Sequence, residues 1–195
     1  HAHPPGSVPE GWVEGEPQAV PILQLLLFDE DELVCWRAAE GLGRAAAVLA
    51  RVGLEPVREL LRRLLWLMND ESGGLLWYGP QCLAAVIANV PALAPEFGDI
   101  LASFLEEEPF RTGTRWGLWR ISGTSPEVVR AAAAELGASL QDPDPAVRGH
   151  AVLALRAAGA AVPDVAGADR EAFSYFDPRS GALRSTTVAD AARAP

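Results

Sequence analysis

A short pattern returns four times along the chain, and it limits the possible folds more than any other feature. In the first copy an acidic turn, Asp29-Glu30-Asp31-Glu32, leads into Leu33-Val34-Cys35-Trp36-Arg37-Ala38-Ala39-Glu40-Gly41-Leu42-Gly43. In the last, Asp142-Pro143-Asp144-Pro145 leads into Ala146-Val147-Arg148-Gly149-His150-Ala151-Val152-Leu153-Ala154-Leu155. Two degenerate copies lie between them, at 69–86 and 106–122. An acidic turn followed by a helix of small residues, recurring at this interval, is the mark of stacked helical repeats. Each unit buries its apolar face only against its neighbours.

The periodicity predicts four antiparallel helix pairs: 19–28 with 32–50, 55–68 with 74–90, 92–106 with 112–122, and 126–141 with 145–158. Asp144 suits the cap position and Pro145 the first turn of its helix. Gly53, Gly123 and Gly159 suit helix exits. Aligning the second helices places Leu42, Leu83, Ile121 and Leu155 at one buried position, with small residues around them allowing close approach. Pro80 falls inside the predicted helix 74–90, where a missing donor should kink or open it.

The flanks differ. Residues 1–18, with Pro4, Pro5, Pro9 and Pro17, show no helical period and read as an extended arm. The opening His1-Ala2-His3-Pro4-Pro5-Gly6 does not read as a signal peptide. Residues 160–195 form a second appendage: a β-hairpin over 172–187 with its turn at Asp177-Pro178-Arg179-Ser180-Gly181, then a short helix capped by Thr187. A lone hairpin is unstable in water, so it should dock on the last repeat and cover the end of the core. The fold class is therefore all-α: a short right-handed α-solenoid of about four HEAT-like helix pairs over 19–159, with a small C-terminal β-hairpin cap.

Composition narrows function mainly by exclusion. The net charge is −10 and all 16 basic residues are arginine, which disfavours binding to nucleic acid, where phosphate neutralisation supplies most of the affinity. No apolar run is long enough to span a bilayer. Cys35 and Cys82 have no metal-ligand or redox spacing and read as small buried residues of a reduced, cytoplasmic protein. No nucleophile elbow, P-loop or dinucleotide fingerprint occurs. No cofactor or metal is implied, and no catalytic residue stands out. The acidic clusters at the turns read as helix caps, in favourable contact with helix N-termini.

The Asp-Pro-Asp-Pro-x-Val-Arg string at 142–148 and its relative at 29–34 resemble HEAT repeats of the type named after phycobilisome lyases. Trp36-Arg37-Ala38-Ala39-Glu40, Asn69-Asp70-Glu71-Ser72-Gly73-Gly74 and the ending Thr186-Thr187-Val188 are similar to a family of uncharacterised bacterial HEAT-repeat proteins known from sulfate reducers. The resemblance implies scaffolding or protein binding, and brings no established activity or catalytic residue.

In such repeats the second helices line the concave face. Projecting from it in register with Leu42 should be Arg37 and Glu40, then Tyr78 and Gln81, then Trp116 and Trp119, then His150. Arginine and aromatic residues are the usual anchors of binding hot spots. Trp36, Trp77 and Trp119 have a core alternative, and His150 reads as a surface or interface residue. Arg37 and Arg148 could pair with acidic turns of neighbouring repeats. The surface of Asp70, Glu71, Trp77 and Tyr78 is the preferred binding site, because its glycine loop and Pro80 break the repeat's local rules. Two functions follow as expectations. The first is a non-catalytic scaffold that binds a protein or peptide on the concave face. The second is an enzyme or small-molecule binder, bilin-lyase-like, that uses an aromatic groove around Trp77, Trp116 and Trp119.

Overall fold

The computed structural model describes residues 19–69 and 74–193. The predicted arm 1–18 and most of the acidic glycine loop, Asp70 to Gly73, lie outside the described residues. Ten α-helices and one two-stranded sheet are present among the described residues. The helices are α1 (Ala19–Leu26), α2 (Glu32–Ala50), α3 (Glu55–Met68), α4 (Gly79–Asn89) and α5 (Ala94–Ser103). They continue with α6 (Arg111–Ile121), α7 (Pro126–Ala131), α8 (Ala133–Ala138), α9 (Pro145–Ala157) and α10 (Val188–Arg193). Strands β1 (Ala172–Asp177) and β2 (Ala182–Thr187) precede α10.

The two strongest copies of the repeat fold through the same hydrogen bonds. Asp31 caps α2 by accepting from the Leu33 amide at 2.8 Å, and Asp144 caps α9 by accepting from the Ala146 amide at 2.8 Å. Two residues earlier, Asp29 and Asp142 each accept from the amide of that capping aspartate, at 2.9 Å in both cases. The aspartates at the first and third positions of each motif are thus structural, satisfying donors at and before the helix start. At the far end of α9, Gly159 takes φ +68°. The Ala160 amide then bonds back to the Leu155 carbonyl at 2.9 Å, closing the helix.

Helices α2, α4, α6 and α9 pack each on the next, and α1, α3, α5 and the α7–α8 pair each pack against members of that series. Trp36 of α2 meets Tyr78 at the start of α4, and Gly43 further along meets Ala85, so these two helices run in the same direction. A Cβ on Gly43 would sit 2.5 Å from the Ala85 carbonyl oxygen, so only glycine permits this approach. Leu42, Leu83, Ile121 and Leu155 are all buried, as the alignment required.

The structure corrects three expectations. Pro80 does not kink a helix; it sits in the first turn of α4, which begins at Gly79 rather than at 74. A proline needs no intrahelical donor there. The helix 126–141 is broken at Ala132 into α7 and α8, followed by a 3₁₀ turn at Ser139–Gln141. Third, the hairpin does not merely cover the end of the core. It touches α9 through Phe173, α6 through Tyr175 and Phe176, and α2 through Phe176 and Gly181.

Its own geometry is regular: Ala172 pairs with Thr187 and Asp177 with Ala182. Gly181 at φ +63° closes the turn, and Asp177 accepts from the Arg179 amide and the Ser180 hydroxyl. Thr187 caps α10 by accepting from the Asp190 amide at 3.1 Å. Arg148 anchors the segment leading into β1, pairing with Asp169 at 2.6 Å and with Glu171. The pairing open to Arg148 with another acidic turn does not form: it donates to the Asp142 and Pro143 carbonyls of its own turn, and Arg111 reaches the Asp142 carboxylate at 3.0 Å.

Candidate ligand pocket

Helix α4 is buried along its whole first part, Gly79 to Ile87. Its small residues let it sit deep, and α2 and α6 close over it. Glu40 of α2 and Arg120 of α6 bond across it at 2.7 and 3.1 Å. The indoles of Trp36 and Trp116 also meet across it, with centroids 4.7 Å apart in an edge-on arrangement. Phe176 of the hairpin completes the cluster, and its carbonyl accepts from the Trp116 indole nitrogen at 2.8 Å.

Beside this closure, near the N-terminal ends of α2, α4 and α6, lies a half-open cavity of about 360 Å³. Trp36, Trp77, Tyr78 and Trp116 give it aromatic walls, and Glu32, Gln81 and His150 give it polar atoms. Gly113 stands opposite Gln81, where a Cβ would come within 2.7 Å of the amide oxygen; glycine leaves the amide its space. The Gln81 Oε1 and the His150 Nε2 are both buried with no hydrogen-bond partner among the described residues. Two unsatisfied buried polar atoms on residues that line one cavity are unusual, since each carries a desolvation cost of about 1–3 kcal/mol.

The electrostatics of the site are set by burial. His150 is 2% exposed, and its pKa is pushed down to about 4, chiefly by desolvation, with Arg115 adding to the fall. The Ala146 carbonyl and Asp144 oppose this. Nδ1 lies 2.7 Å from that carbonyl, which can only accept, so Nδ1 carries the proton and Nε2 presents a lone pair. Burial likewise raises the Tyr78 phenol above its ordinary range. The thiols of Cys35 and Cys82 are free and buried, and desolvation raises both.

The residues expected on an open concave face are thus divided. Tyr78, Gln81, Trp116 and His150 come together in the pocket, but Trp116 and His150 are buried rather than projecting. Trp77 stands on the rim, 63% exposed. Glu40 is buried and engaged by Arg120, and Arg37 donates to the Gly181 carbonyl at 3.1 Å, so neither presents a free face. Trp119 packs edge-on against Tyr175, with centroids 5.6 Å apart, outside the pocket. Asp70 and Glu71 lie outside the described residues.

Glu32, Trp36, Thr112 and Gly113 line the pocket without having been singled out as binding residues. Glu32 was hidden by its place in an acidic cap, although its carboxylate also accepts from the Trp36 indole at 3.0 Å. Among the described residues no group of three or more His, Cys, Asp or Glu could hold a metal ion. No helix among them is long and apolar enough to cross a membrane.

Comparison with known proteins is sparse. The chain is similar to a protein of Archaeoglobus fulgidus described as uncharacterised, with 32% identity over 105 residues, 53% of this chain and 52% of that one. The chain therefore spans about half the length of that relative. No family model matches the chain, and no solved structure matches it significantly.

Proposed function

We propose that the protein is a non-catalytic recognition module: a short HEAT-like α-solenoid that binds one ligand group in the Trp36–Trp77–Trp116 pocket. The observation that carries this reading is the aromatic cavity itself, lined by Trp36, Trp77, Tyr78 and Trp116 together with Gln81 and His150, each of which has a buried polar atom without a hydrogen-bond partner among the described residues. Concave aromatic sites with a few placed polar atoms are the usual form of small-group binding sites. The inner face is largely filled by the hairpin, which favours a single inserted group over a long peptide laid along the helices. Exposed Trp77 at the rim is placed to hold whatever carries that group. Two free buried thiols agree with a reducing, cytoplasmic setting, which belongs to the same proposal.

The reading is tested by screening a small-fragment library by ligand-observed NMR against the wild-type chain and Gln81→Leu. Fragments that bind the wild type and lose binding to the folded variant support it. A library that yields no fragment sensitive to Gln81→Leu overturns it.

A further inference from the structure

Helix α5 meets both α3 and α7, and the two junctions differ in charge. At the first, Arg58 of α3 reaches Glu96 of α5 at 2.6 Å and Glu55 of its own helix at 3.3 Å, so a cation stands among the carboxylates. At the second, Gly98 of α5 comes so close to α7 that a Cβ would lie 2.6 Å from a Val128 methyl group. Asp99 of α5 and Glu127 of α7 border a cavity of about 300 Å³ there. Asp99, Glu106 and Glu135 of α8 border another, of about 370 Å³. The two cavities share Asp99, Val128 and Ala131, so they make one groove along the junction.

This groove has carboxylates from both of its sides and no cation of its own. Glu106 is paired, to the buried Arg115 at 3.0 Å. Asp99, Glu127 and Glu135 are exposed, and their carboxylates have no partner among the described residues. Neither arginine nor histidine is among the described residues that line the groove, and the chain has no lysine. Arg130 of α7 donates instead to the Ala158 carbonyl at 3.1 Å. The Ser103 hydroxyl is spent on the Ile100 carbonyl at 2.7 Å. Ala102 and Ser103 also end α5, where the carbonyl end of the helix dipole adds negative potential.

A single metal ion does not match this arrangement. No group of three or more acidic, histidine or cysteine residues among the described residues could hold one. The floor of the groove is apolar and built from small side chains, Val128, Ala131 and Ala132. The fitting ligand carries several separated positive charges beside apolar groups.

We propose that the groove between α5 and the α7–α8 pair docks a basic amphipathic segment of a partner protein. Its arginine or lysine side chains pair with Asp99, Glu127 and Glu135, and its apolar side rests on Val128, Ala131 and Ala132. Amphipathic helices commonly bind in such grooves between helices. The net charge of −10 speeds encounter with a basic segment. This docking does not depend on the aromatic pocket.

The test is fluorescence anisotropy with a labelled amphipathic peptide of leucine, alanine and arginine. Its counterpart with glutamine at every arginine serves as a second probe, and spermine as a competitor. The arginine peptide should bind at least about tenfold more tightly than the glutamine peptide, and added salt should weaken it. Asp99→Asn combined with Glu135→Gln should weaken the arginine peptide about fivefold. Glu30→Gln combined with Asp164→Asn removes the same charge from exposed positions outside the groove, and should change binding by less than about twofold. Ala131→Trp fills the groove from an exposed position, and should weaken binding at least about tenfold.

The proposal is overturned if the glutamine peptide binds as tightly as the arginine peptide, if both charge-removing pairs weaken binding equally, or if Ala131→Trp leaves it unchanged. Spermine binding as tightly as the arginine peptide would assign the groove to a free polyamine and overturn the docked segment. Failure of the arginine peptide to bind overturns it as well.

Discussion

The ring of Phe176 lies flat against the indole of Trp36, with centroids 5.3 Å apart and planes 3° from parallel. Phe176 is the penultimate residue of β1, and Trp36 lies in the second turn of α2. Both are buried, at 1% and 7% exposure. Phe176→Ala should remove this stack and leave a void against Trp36 and Trp116, destabilising the protein by roughly 3–5 kcal/mol. Chemical denaturation followed by tryptophan fluorescence measures the cost. Amide exchange should show the hairpin losing protection first; a hairpin as protected as in the wild type would contradict its docking through this ring.

Leu42→Ala and Leu155→Ala should each destabilise by roughly 2–5 kcal/mol, because both side chains are fully enclosed between layers. Their effects should add when combined, since they lie in repeats far apart in the chain. Equilibrium denaturation of the single and double variants checks both statements.

Arg120→Ala should cost about 3 kcal/mol, because it strands the buried Glu40 carboxylate without its partner. The paired change Arg120→Met with Glu40→Met should recover much of that loss. A double-mutant cycle on these positions measures the coupling. An Arg120 variant as stable as the wild type would mean that the bridge across α4 contributes little.

Acid should weaken the fold through His150. Its pKa is about 4 when folded, against an ordinary value near 6.5, so between these limits the unfolded chain binds the proton more readily. The stabilisation is complete above the unfolded value and is lost as pH falls toward 4, amounting to on the order of 3 kcal/mol. His150→Phe should flatten this dependence. Thermal unfolding of both proteins between pH 7 and 4 provides the measurement.

What could be read from the chain followed the range of the interactions. The Asp-x-Asp caps at 29–31 and 142–144 are local, satisfied within a few residues, and the sequence pattern located them correctly. The Leu42, Leu83, Ile121 and Leu155 register followed from periodicity alone. The pocket did not, because it depends on α2 and α6 meeting over α4 and on Phe176 reaching Trp36. His150 reads as a surface or interface residue on an open helix face; the structure buries it, with Phe173 of the hairpin 5.3 Å away covering it. The sign available in the sequence was Phe173-Ser174-Tyr175-Phe176 itself, a strand too aromatic on both faces to lie with one side in water.

The bond from Arg37 to the Gly181 carbonyl joins residues 144 positions apart. Repeat arrays ordinarily fold piecewise, because every contact is with the next unit and any segment can nucleate the rest. Here the hairpin rests on α2, so the packing of that helix depends on a segment far along the chain. Such distant contacts slow folding relative to purely local ones. They also bind the helices into one cooperative unit, which should melt in a single transition rather than fraying from its ends.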